Sequence, residues 1–395
     1  MLRIWISTHH YSLPHHSLLR HTAIILLLFW LFPHHNALAM STTDSALAQD
    51  EAYAALQHYQ ALGRVTAILE EVKGIDYGAQ LVGDRQLVEI TILSGPLRGS
   101  SVEVSHTYFG HPLFDLWVKP GDRLVLSISE TLSGPPEIGI SGYARDRYLY
   151  VLVGLFVLML LLVGGRQGIK AIVTLGLTLF LIIKVLLPLL LLGYPPVLLA
   201  LLIGLLVSTL TFWIISGWTV KSAAAILGTL GGLTVAALLS IVVVHFARLS
   251  GLSGEEEQML LHLGQDIQFD FRGLLLAGIL IGALGAVMDV AMSIASAMQE
   301  VHDKNPRLRF AELYRSGLSV GRDIMGTMSN TLILAYTGTS IPLLLLLIAH
   351  EKPLLDIVNT DFLLTEVLRA MSGSIGLILV IPLTALLTAL LLKRR

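Results

Sequence analysis

The sequence predicts an α-helical integral membrane protein of about seven transmembrane helices, preceded by a small extracytoplasmic antiparallel β-domain of barrel-like type. Three observations carry that prediction. The chain of 395 residues is 54% hydrophobic and only 14% charged, with a mean hydropathy of +0.74, a balance suited to a multi-pass membrane protein. From Tyr148 onward, apolar runs of spanning length follow one another. Ahead of them lies a stretch of period-two alternation and turn chemistry.

The chain divides into 1–39, a signal peptide; 40–143, the β-domain with its N-terminal linker; and 144–395, the membrane domain. In the first segment Arg3 and Arg20 supply positive charge and Thr22 to Phe32 is an apolar run too short to span. Ala37-Leu38-Ala39 then fits a small-x-small cleavage site. An uncleaved anchor is the alternative, and either reading puts the next residues outside the cytoplasm. The histidines at 9, 10, 15, 16, 34 and 35 fall in this segment, so no metal site is assigned to them. Residues 41 to about 63 read as a polar linker or short helix. After it, Val65, Ala67 and Leu69 recur at period two, blurred by Ile68, and Val88, Ile90 and Ile92, Val102 and Val104, and Leu124, Leu126 and Ile128 keep the same period. Ser94-Gly95-Pro96 and Lys119-Pro120-Gly121-Asp122 provide turns between them.

Seven spans follow, at about 147–164, 170–192, 196–216, 222–247, 273–297, 323–349 and 365–392. Each covers the roughly 30 Å hydrocarbon core. Lys and Arg concentrate in Arg166 and Lys170, Lys221, the 298–322 loop and the Lys393-Arg394-Arg395 tail, whereas of the alternate loops 248–272 and 350–364 are acidic and Gly193-Tyr194-Pro195 is uncharged. The positive-inside rule therefore puts the C-terminus in the cytoplasm and the β-domain outside. Leu308, Phe310, Leu313 and Leu318 suggest a surface helix in the 298–322 loop.

Two segments carry chemistry. Gly278, Gly282, Gly285, Asp289, Ser293, Ser296 and Glu300 recur in steps of three and four, one stripe of a helix. Asp323, Thr327, Asn330 and Thr337 form a second. The glycines and serines suit helix packing, but a carboxylate at membrane depth costs about 3 kcal/mol and marks function or internal pairing. The two spans run in opposite directions, which makes Asp289 level with Thr327 and Asn330, and Ser296 with Asp323. Asp289, Ser293, Ser296, Asp323, Thr327 and Asn330 are the candidate substrate or ion site. Lys184 lies nearer the other face, too far along the axis to pair with Asp289. Pro342 in Gly338-Thr339-Ser340-Ile341-Pro342 predicts a kink.

The segments Gly282-Ala283-Leu284-Gly285-Ala286-Val287-Met288-Asp289-Val290-Ala291-Met292-Ser293 and Gly321-Arg322-Asp323-Ile324-Met325-Gly326-Thr327-Met328-Ser329-Asn330-Thr331-Leu332 resemble the YibE/F-like family of bacterial membrane proteins. Gly217-Trp218, Lys221 and the run Ala225 to Gly232 are similar too, and the resemblance extends over roughly 60–392. It implies an integral protein of the bacterial inner membrane and agrees with the topology. It brings no substrate, cofactor or site residue with it.

The leading expectation is a transporter or permease for a small solute or cation, with the lipid bilayer as its other partner. The alternative is a membrane scaffold or assembly partner whose outer β-domain docks another protein. An intramembrane hydrolase built on Asp289 and Asp323 is disfavoured, since the two differ in depth by a turn or more. No catalytic residue, metal or cofactor is assigned. With no cysteine and a net charge of −2, thiolate chemistry is excluded and no case for nucleic-acid binding exists.

Overall fold

The structure is a computed structural model, described here for residues 58–76, 82–109, 116–129, 136–261, 269–350 and 353–393. The expected signal peptide and most of the linker lie outside the described residues. Two compact units divide near Arg147.

Among the described residues the first unit holds five strands: β1 (His58–Asp76), β2 (Val82–Ile92), β3 (Ser101–Tyr108), β4 (Arg123–Ser129) and β5 (Glu137–Tyr143). They form one antiparallel sheet in the order β3-β2-β1-β4-β5, and the edge strands β3 and β5 approach each other without pairing. The result is a half-barrel. Alternation buries Val88, Ile90 and Ile92 on β2 and Leu124, Leu126 and Ile128 on β4 against Val65 and Val118. Gly63 sits where the curled sheet is tightest, since a Cβ there would lie 2.6 Å from Ile90 Cγ2 and 2.8 Å from Leu126 Cδ1.

Three features differ from the sequence reading. Strand β1 begins at His58, inside the stretch expected to be linker. Register shifts between Val65 and Ala67 and between Ile68 and Glu70 break the alternation, so Val65 is buried but Leu69 is 47% exposed. Strand β5 was not anticipated. Its Gly139 and Gly142 dilute a short alternation that only Ile138 and Ile140 carry.

The second unit is helical. It runs α1 (Asp146–Leu181), a π-helical turn (Ile182–Leu186), α2 (Leu187–Leu191), α3 (Pro196–Ser216), α4 (Val220–Phe246), α5 (Glu255–Leu260), α6 (Phe271–Lys304), α7 (Phe310–Thr339), α8 (Ile341–Ala349), α9 (Leu354–Val358) and α10 (Asp361–Lys393). Among the described residues five helices are long and apolar enough to cross a membrane, and six when the bent pair α7–α8 counts as one. Gly165, at φ 49° and ψ −124°, breaks α1 in its middle. The break brings Gly168 so close to Leu160 that a Cβ on it would overlap the Leu160 carbonyl.

Helix α6 lies at the centre, in contact with α3, α4, α7 and α10. Small residues let the backbones approach. A Cβ on Gly376 of α10 would stand 3.0 Å from Gly232 O and 2.8 Å from Ala236 Cβ on α4. Helix α7 starts at Phe310, well before the expected 323, and absorbs the segment read as a surface helix. Glu312 accepts a 2.7 Å hydrogen bond from Arg309 N at its start, and Leu313 is fully buried. The broad 298–322 loop shrinks accordingly to residues 305–309. The expected kink is present: α7 and α8 meet at 58° around Ser340.

Candidate functional site

Contacts between α6 and α7 fix their antiparallel register. A Cβ on Gly317 would press on Met298, one on Gly321 on Ile294, and one on Gly282 on the Tyr336 hydroxyl. Interpolating along this ladder puts Asp289 level with Gly326 and Thr327, and Asn330 within about a turn of it. The two stripes therefore meet in depth as their spacing implies.

Their direction was not foreseen. Gly278, Gly282, Gly285, Asp289 and Ser293 are exposed and Ser296 is half-buried, so the stripe forms an outward strip on an otherwise buried helix. Asp323, Gly326, Thr327, Asn330 and Thr331 are exposed on α7 as well. A Cβ on Gly278, Gly285 or Gly326 would meet nothing within 4 Å. Of the stripe glycines only Gly282 serves the helix packing expected of the set.

Hydrogen bonding within this face is local. Ser296 Oγ lies 3.4 Å from Met292 Sδ, Thr327 Oγ1 donates to Ile324 O at 2.9 Å, and Thr331 Oγ1 donates to Thr327 O at 2.8 Å. The carboxylate of Asp289, the hydroxyl of Ser293 and the amide of Asn330 have no hydrogen-bond partner or ion pair among the described residues. Lys184 is exposed in the π-helical turn and likewise makes no ion pair among them.

Sequence reasoning missed a second polar group. Ser340 Oγ, at the α7–α8 bend, shares its hydrogen between Tyr336 O at 2.9 Å and Glu366 Oε2 at 3.1 Å on α10. Glu366 Oε1 faces Arg369 Nη2 at 3.7 Å. Glu366 and Arg369 border a cavity of about 150 Å³ lined also by Ser253, Glu256, Glu257 and Phe362. Tyr336 links this cavity to the strip, with its backbone carbonyl bonded to Ser340 and its hydroxyl lying over Gly282. Asp289 is seven residues further along α6, about 10 Å at about 1.5 Å per residue. The signal available in the sequence was Glu366 and Arg369 at i and i+3, one turn into a helix long and apolar enough to cross a membrane.

At the opposite end, a larger cavity of about 480 Å³ is lined by Trp218, Lys221, Gln299, His302 and Asp303. Gln299 Nε2 donates to Asp303 Oδ1 there at 2.7 Å. Among the described residues no group of three or more His, Asp or Glu is placed to hold a metal ion.

No curated protein and no solved structure is significantly similar to the chain. The YibE/F-like protein family matches residues 152–394, which takes in the helical unit and stops short of the β-domain, unlike the wider resemblance expected from the sequence. With well over half its length matched, the chain belongs to the YibE/F-like protein family.

Proposed function

We propose that this protein is a permease for a small solute or ion, most simply a cation or proton, and that Asp289 is its central group. The observation that carries the reading is the polar line along α6 and α7. It runs from the Glu366–Arg369 cavity, through Tyr336 over Gly282, to Asp289, Ser293 and Asp323. A carboxylate at mid-depth with no partner among the described residues gives a spanning helix no packing benefit, so its retention favours handling of a mobile charge.

The proposed topology has seven crossings. The helical stretch Asp146–Leu191 has 46 residues, about 69 Å of helix at about 1.5 Å per residue, over twice the bilayer core. The break at Gly165 supports counting it as two. The α7–α8 pair counts as one bent span. The Lys and Arg asymmetry supports a bacterial inner-membrane orientation with the β-domain extracytoplasmic and the C-terminus cytoplasmic.

The test is reconstitution in proteoliposomes, with currents recorded on jumps in pH, sodium or potassium. Wild-type protein should respond to one of these, and Asp289→Asn should accumulate normally yet lose the response. An Asn variant with full flux would refute the reading. Asp289-independence together with a stable protein partner on the β-domain would point to the scaffold alternative.

A further inference from the structure

The outward polar face of α6 and α7 poses a solvation problem. Asp289, Ser293 and Asn330 are exposed on spanning helices and have no partner among the described residues. Acyl chains can neither donate nor accept hydrogen bonds, so lipid is a poor cover for them. The apolar start of α1 is no better, since residues 148–165 consist of Leu, Val, Phe, Tyr, Met and Gly, with no side-chain amide or carboxylate. The cover must bring donors for a carboxylate and acceptors for an amide, at matching depth.

We infer that a second copy of this chain covers the face, related by a two-fold axis along the membrane normal, and that Asp289 of each copy is completed by Asn330 of the other.

Three observations favour this occupant. The face is self-complementary, because the strip on α6 offers the Asp289 carboxylate and α7 offers the unpaired Asn330 amide. Depth also matches without adjustment. A two-fold axis along the normal leaves every residue at its own depth. Since Asp289 is already level with Gly326 and Thr327 of its own chain, it is equally level with those of a second copy, and within about a turn of Asn330. Finally, Gly278, Gly285 and Gly326 are open on this face and would accept a close helix, in contrast to Gly317, Gly321 and Gly376, which are filled within the protomer. The inference rests on the permease reading of the same site, which it deepens: the conducting site is shared between copies.

The chain has no cysteine, so introduced ones report cleanly. Two tagged copies are co-expressed, one carrying Gly285→Cys and the other Thr331→Cys, positions level on the α6–α7 ladder. Oxidation in native membranes should give a mixed disulfide dimer at twice the chain mass. A control pair, Leu202→Cys with Leu379→Cys on the exposed faces of α3 and α10, should stay monomeric. Asn330→Asp, which sets carboxylate against carboxylate, should lose the dimer in light scattering. Adding Asp289→Asn to it should restore the dimer, which shows that the loss was not misfolding. Absence of the mixed disulfide from well-folded protein, or adducts with a different protein only, would overturn the inference. Asp289-dependent flux without cross-linking would sink the dimer and leave the permease standing. Cross-linking without flux would do the reverse.

Discussion

The hydroxyl of Tyr336 on α7 lies against Gly282 on α6, in the space a Cβ would occupy. This contact joins the cavity beside Glu366 to the strip that carries Asp289. Gly282→Ala should therefore push the ring away and lower stability by about 1–3 kcal/mol, as overpacking does. Tyr336→Phe removes the offending oxygen, so the double variant Gly282→Ala with Tyr336→Phe should recover most of the loss. Thermal unfolding in detergent measures both. A single variant as stable as wild type would show that the contact is not tight.

Helices α4 and α10 meet through Gly232 and Gly376, whose backbones leave no room for a side chain. Gly376→Val should lower the unfolding temperature strongly, whereas Gly278→Val, on the open strip, should leave the monomeric fold intact. Comparing the two by detergent thermal melts separates glycines that hold the bundle together from those that face outward.

Replacement of Asp289 by Leu should leave the protein level near wild type, because no side chain among the described residues of the protomer bonds to it. Asn at the same position should do likewise while abolishing flux. Immunoblotting of membranes checks the first statement. A collapse of the Leu variant would mean that the carboxylate has a structural partner within its own protomer.

Reporter fusions after Glu257, Arg309 and Arg395 should read outside, inside and inside, following the Lys and Arg distribution. An outside signal at Arg309 would invert the proposed orientation and move the Glu366 cavity to the cytoplasmic side.

Residues 40–143, expressed alone, should give a β-rich circular dichroism spectrum. Gly63→Val should abolish it, since a Cβ there would meet Ile90 and Leu126 across the sheet. A helical or disordered wild-type spectrum would refute independent folding.

The helical boundaries were legible because hydropathy and length determine them. Pro196–Ser216 and Asp361–Lys393 match the expected spans within a few residues. The early start of α7 was hidden by Arg315 and Arg322, which interrupt hydropathy without interrupting helix. In the sheet, the buried residues of β2 and β4 could be read directly, but the bulges that expose Leu69 could not, because a register shift depends on the neighbouring strand. Helical spacing correctly put Asp289 and Ser293 on one stripe. It carries no information on what that stripe faces, since angular position on a helix says nothing of which neighbours surround it. The Glu366–Ser340 bond joins residues 26 apart across the α7–α8 bend, a proximity that only tertiary structure creates.

The apolar window within Asp146–Leu191 has 0% of its residues buried by the rest of the protein. In a bilayer its depth would accordingly answer to the thickness of the acyl layer more than to side-chain contacts with the bundle. A thicker or thinner bilayer would raise, lower or tilt this segment while α4, α6 and α10 held their mutual register. Up to the break at Gly165 the helix is in effect a float on a moored hull, since beyond it Lys170 donates to Ile215 O and Leu181 joins the core.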